Sequence, residues 1–144
     1  MITLAILQAI TNDLANLTLD DNAFWEEAPL QQNGKPAQGV WLVTRSGSLT
    51  NTPKGHNQKA TLDFYVAYQN KAKTEALHAE ILNWLRAHPY ICKLNGTAGD
   101  SGYTYEFENI RIRPTTTPEN MGVTDNGNIV KMASADVVYD LSTN

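Results

Sequence analysis

The segment Ala60-Thr-Leu-Asp-Phe-Tyr-Val-Ala-Tyr68 is followed, after Gln69 and Asn70, by Lys71-Ala-Lys-Thr-Glu-Ala-Leu-His-Ala-Glu-Ile-Leu-Asn-Trp-Leu-Arg86. This pair decides how the chain folds. Leu62, Phe64, Val66 and Tyr68 share one face at a period of two, which is the repeat of a half-buried strand. Leu77, Ile81, Trp84 and Leu85 recur at three- and four-residue steps, so 71–86 reads as an amphipathic helix. Each element has one face to bury, and nothing in the unit resembles an active site.

Outward from this unit, Leu7, Ile10, Leu14 and Leu17 predict a first helix over residues 2–17, ended by Asp20-Asp21-Asn22. An irregular segment runs from Phe24 to Gln38, with turn chemistry in Gln31-Gln-Asn-Gly-Lys-Pro36. The near-continuous apolar run of Gly39-Val-Trp-Leu-Val-Thr-Arg45 predicts a strand covered on both sides or lying at a subunit contact. Residues 46–59 are too long and polar for a tight turn, so they read as a loop projecting from an antiparallel strand pair, a contact arm.

Beyond the second helix, His88-Pro89 stops the helical run, because the residue before proline disfavours helical geometry. A short strand at 90–94 and a turn-rich connector at 95–102 follow. In the strand 103–113, Tyr103, Tyr105 and Phe107 share one face and Ile110 and Ile112 the other. A bulge near Glu108-Asn109 would bring both sets into one core. A second long polar loop over 114–127 leads to the alternating last strand, 129–141. The predicted fold is α+β: a mainly antiparallel sheet, two helices packed on one face, and long polar loops.

The 144 residues suit one domain spanning 1–144. A net charge of -4 and a pI near 5.2 argue against binding a phosphate backbone. Lys54, Lys59, Lys71 and Lys73 read as solvated charges. An acidic balance would suit a passage through which DNA slides without sticking. The single cysteine, Cys92, excludes an internal disulfide; in the apolar run Tyr90-Ile91-Cys92 it is expected to be a buried thiol. Synthesis in a reducing cytoplasm follows. The apolar N-terminus lacks the basic region of a signal peptide and meets polar residues too soon for a membrane span.

No constellation carries chemistry. His56, His78 and His88 lack the spacing of helical metal ligands and read as surface or helix-end histidines, with His88 suited to a helix C-terminus. Asp20-Asp21 and Glu26-Glu27 read as solvated charge. Gly96, Gly99 and Gly102 match no phosphate-binding pattern, and Ser46-Gly-Ser48 lacks the flanking glycines of a nucleophile elbow. Trp25, Trp41 and Trp84 fall where core or interface aromatics are expected. The expectation is a non-enzyme with no catalytic, cofactor or metal residues.

In layout, the chain resembles tail terminator or minor capsid neck proteins of tailed bacteriophages and prophages. The resemblance rests on the opening helix Ile2 to Leu17, the polar loop Thr50-Asn-Thr-Pro-Lys-Gly-His-Asn57, the strand Thr61 to Ala67, and the helix bearing Glu75, Ala76, Ile81 and Leu85. It implies a virion protein, made in the host cytoplasm, that forms a ring, a hexamer, on the tail tube. Such a ring stops tube growth and offers a surface for head attachment. The implied partners are the chain itself, the tail tube protein and head-completion or connector proteins, with only transient non-specific passage of DNA and no membrane. A head-tail ring needs two different complementary patches per subunit. The resemblance places them at the strand Val40, Trp41 and Val43, at Leu49, Thr52, Lys54, His56 and Lys59 of the first loop, and at Thr116 and Met121 of a second arm over 115–127. A head-completion or connector protein of the same neck is the alternative, followed by a small non-enzymatic ligand-binding domain.

Overall fold

The computed structural model describes residues 2–26, 31–32, 35–36, 38–48, 55–98, 103–115, 119–123 and 128–141. Helix α1 (Ile2–Asp13) opens the chain. The short strand β1 (Ala23–Trp25), the two-residue strands β2 (Gln31–Gln32) and β3 (Lys35–Pro36), and the long strands β4 (Gly39–Ser48) and β5 (Gln58–Tyr68) follow. Helix α2 (Lys71–Ala87) then leads to β6 (Tyr90–Ala98), β7 (Tyr103–Pro114), β8 (Glu119–Val123) and β9 (Ile129–Leu141). The strands form a sheet in the order β1-β4-β5-β9-β7-β6, antiparallel except for β1 against β4, while β8 pairs with the start of β9 and β2 with β3.

The strand-to-helix unit sits at the centre of this α+β architecture. Leu62, Phe64 and Val66 of β5 are buried together with Leu77, Ile81, Trp84 and Leu85 of α2. Helix α2 starts at Asn70, whose side chain accepts the Lys73 backbone N–H at 3.2 Å and so satisfies one orphan donor of the first turn. It ends at His88, before Pro89. Helix α1 packs into the same core through Ile2, Leu4, Ile6, Leu7 and Ile10, so both helices cover one face of the sheet. It stops at Asp13, four residues short of the expected end, because Thr11-Asn12-Asp13 is a run of poor helix formers. Leu14 and Leu17 still reach the core from the turn that follows.

Strand β7 carries the bulge that its alternation requires. Its pairing with β9 shifts register between Glu108 and Arg111, and Asn109 adopts the left-handed region with φ 51°. The shift places Tyr105 and Phe107, and then Ile110 and Ile112, in one core. The apolar run of β4 is explained by burial on both faces. Val40 and Leu42 join the helix-side core, whereas Trp41 and Ala67 form a second cluster with Phe24, Tyr65 and Val130. The Phe24 and Trp41 rings stack at 5.4 Å.

Three local expectations need correction. Cys92 is exposed, because Ile91 and Leu94, three apart, both lean on the core and leave Cys92 and Lys93 facing solvent on an outermost strand. His78 is 2% exposed rather than on the surface: it extends the buried α2 stripe of Thr74, Leu77, Ile81 and Leu82. The polar segment after Pro114 contains β8, a strand paired antiparallel with β9. Among the described residues, no helix is long and apolar enough to cross a membrane.

Candidate interface: two sheet edges and a clasped arm

The sheet ends differently on its two sides. On one side the outermost strand is β1, three residues long and parallel to β4. On the other it is β6, nine residues long and antiparallel to β7. An outermost strand presents backbone donors and acceptors on its free side and is a ready template for another chain unless blunted. Strand β6 is blunted in part. Lys93 forms an ion pair with Glu106 beside it, and the Gln8 side-chain amide donates to the Thr97 carbonyl at 3.3 Å. Tyr90, at its start, is 54% exposed.

Between these edges, β4 and β5 pair out to Ser48 and Lys59 and carry the segment predicted as a contact arm. The returning end of that arm is fastened to the sheet by a polar clasp. Asn57, in the left-handed region with φ 58°, donates its backbone N–H to Asp140 Oδ1 at 2.9 Å. The Asn109 side-chain amide donates to Asp140 Oδ2 at 2.9 Å, and His56 Nδ1 lies 3.3 Å from the same oxygen. Arg111 donates to Asn57 Oδ1 at 3.1 Å, and the Tyr90 hydroxyl donates to Asn109 Oδ1 at 2.8 Å. The entry to β5, the bulge of β7 and the end of β9 thus meet on one carboxylate.

These bonds favour the ionised carboxylate, and the Asn109 amide, the Asn57 N–H and His56 together hold Asp140 down at about 2. Two of the residues in the clasp sit where asparagine is tolerated better than other side chains, in left-handed backbone. Gly55 is left-handed as well, with φ 65°, and a Cβ there would lie 2.9 Å from the Leu141 Cβ. Glycine is required by both the backbone angle and the close approach.

A second pin holds the other side of the arm. Arg45 donates through Nε and Nη2 to the Asp63 carboxylate, the closest approach being 2.9 Å, and Ser134 Oγ donates to Asp63 Oδ1 at 2.6 Å. Asp63 is buried, so the bidentate guanidinium and the hydroxyl replace its lost water. Beside it, Thr61 donates to Asp136 at 2.8 Å.

The residues expected at contacts fall into three groups. Val40 is fully buried against the helices and lies in the core, Trp41 is buried in the second cluster, and Val43 is half-buried. His56 and Lys59 are both exposed at the returning end of the arm, His56 within the clasp. Leu49, Thr52, Lys54 and Thr116 lie outside the described residues, and so does the side chain of Met121, which belongs to β8. Sequence reasoning missed Asp140, Asn109, Asn57, Arg45 and Asp63. Only Asn109 had a signal, because the phase change in β7 marks the bulge it occupies. The described residues contain no group of three His, Cys, Asp or Glu side chains able to hold a metal ion.

No protein-family model and no curated protein matches the chain.

Proposed function

We propose that this protein is a ring-forming subunit of the head-tail neck of a tailed bacteriophage or prophage, a tail terminator. It caps the tail tube, stops its polymerisation and offers a surface to head-completion proteins. The observation that carries the reading is the pair of unlike sheet edges, β1 and β6, at opposite ends of one sheet. A closed ring is built from heterologous contacts, each using two different patches of the subunit, and unlike edges supply such patches. The base of the β4–β5 connection, the segment expected to be a contact arm, is fixed by Asp140 and Asp63. On this reading the protein works by contact alone and carries out no catalysis.

The test is the mass of the purified protein by light scattering, with negative-stain imaging of large species and incubation with growing tail tubes. Rings of about six subunits that halt tube elongation support the reading. Rings that bind head components and leave tube growth unchanged would move the protein to the head-completion or connector position. A monomer that neither assembles at high concentration nor binds tubes would overturn it.

A further inference from the structure

Away from the clasp, α1 and α2 finish side by side. A groove of about 720 Å³ opens between their last turns and strand β6. Its walls include Asn12, Asp13, Trp84, His88 and Thr97, and no lysine or arginine lines it; Asp13 is its one carboxylate among the described residues. The C-terminal end of a helix carries partial negative charge. The last turn of α1 has no basic residue, and Arg86 of α2 does not line the groove. The C-terminal ends of two helices and a carboxylate therefore converge on one cavity, which no arginine or lysine among the described residues lines.

Asp13, Trp84 and His88 form a polar and aromatic cluster at its centre. Trp84 Nε1–H donates to Asp13 Oδ2 at 2.6 Å, and the indole stacks on the His88 ring at 4.2 Å between centroids. His88 Nδ1 lies 2.8 Å from the Trp84 carbonyl, which can only accept, so Nδ1 carries a proton. In the neutral ring Nε2 is then an acceptor, and it faces Asp13 Oδ2 at 3.8 Å. With the ring neutral, these two acceptors lie close enough together for one donor group to contact both. Asp13 is half exposed and His88 more than a third exposed, so the bridge is reachable from the groove.

We infer that this groove is a binding site for an organic cation, a guanidinium or alkylammonium group bridging Asp13 and His88 Nε2 with the Trp84–His88 stack alongside. A guanidinium offers several coplanar donors and lies favourably against aromatic faces. Ala9 and Leu94 supply apolar wall for a methylene stem. A metal ion is a poorer match, because two ligands fall short of the set that zinc takes. The cation's source is either a free small molecule or an arginine or lysine side chain of another polypeptide.

The test is a titration of the isotopically labelled full chain followed by NMR at the Trp84 indole and His88 imidazole. The probes are agmatine, a blocked Gly-Arg-Gly tripeptide, and the same tripeptide with neutral citrulline in place of arginine. Saturable shifts with agmatine or the arginine peptide, absent with citrulline and weakened at least about tenfold in Asp13→Asn, are expected. Asparagine keeps an acceptor for the Trp84 indole, so the fold should survive; unchanged thermal unfolding checks this, and His88→Gln is the second variant. Tighter binding of the arginine peptide than of agmatine assigns the site to a polypeptide, and the reverse assigns it to a free amine. No saturable shift, equal binding of the citrulline peptide, or stronger response to zinc ions than to either cation would overturn the inference.

Discussion

The carboxylate of Asp140 accepts the backbone N–H of Asn57 at 2.9 Å, although the two residues are 83 positions apart. This bond, with those from Asn109 and His56, ties the arm to the last strand, and it is strongest while Asp140 is ionised. The folded carboxyl titrates at about 2 and the unfolded one near 3.8. The unfolded chain therefore takes up the proton first as pH falls. The stability from the clasp is complete above about pH 4 and is lost progressively down to about pH 2. Asp140→Asn should cost about 1–2 kcal/mol at neutral pH and remove this part of the acid dependence. Urea unfolding at pH 7, 4 and 3 measures both; an identical acid slope in the variant would show that Asp140 is not the titrating group.

Asn109 gives a test of backbone strain. At φ 51° alanine is strained by about 1–2 kcal/mol, while glycine is not. Both substitutions remove the bonds to Asp140 and from Tyr90. Asn109→Gly should therefore be more stable than Asn109→Ala by about 1 kcal/mol, the reverse of their order in an ordinary strand. Equal midpoints in denaturant would mean that the left-handed backbone relaxes at no cost.

The fold was legible wherever burial is periodic. The two-residue repeat of Leu62 to Tyr68, the stripe of Leu77 to Leu85 and the phase change in β7 each follow from a side chain having one place to hide. The clasp was not legible, because Asn57, Asn109 and Asp140 come from three elements and are joined only by the sheet's register. No local pattern records such a meeting. Cys92 was misread for a related reason: an apolar triplet looks buried in sequence, but on this outermost strand Ile91 and Leu94 take the places against the core and the thiol is left in solvent.

His78 should make the protein less stable as pH falls below the ordinary imidazole range. Burial pushes its pKa down from 6.5, partly opposed by the bond that Nε2–H donates to the Met132 carbonyl at 3.2 Å, with Lys131 lowering it further. The unfolded chain binds the proton near 6.5 while the native state still refuses it, so stability rises with pH through this window. Glutamine can keep the donor to Met132 and has no proton to gain. The difference between wild type and His78→Gln, followed as melting temperature from pH 7 to 5, should grow in favour of the variant. A constant difference would place the pH sensitivity elsewhere.

Thr3 is fully buried in α1, and its hydroxyl has no hydrogen-bond partner among the described residues. Burying an unpaired hydroxyl costs about 1–3 kcal/mol, and valine has nearly the same shape. Thr3→Val should raise the denaturation midpoint with the slope of the transition unchanged. A loss of stability would reveal a bond formed by this hydroxyl in solution.

The exposed thiol of Cys92 turns the proposed ring into something that chemistry can read. It lies on β6, the outermost strand on one side of the sheet, beside exposed Tyr90. A thiol-disulfide reagent added to the free subunit should modify one cysteine per chain at a rate independent of denaturant, since no unfolding is needed to reach it. If β6 is one of the two ring patches, assembly covers it, and modification should slow at least about tenfold at concentrations where rings form. The converse follows from mass action: a bulky adduct on Cys92 shifts the equilibrium toward free subunits. Rings whose Cys92 reacts as fast as that of the subunit would exclude β6 from the contact and leave the clasped arm and β1 as the surfaces that build it.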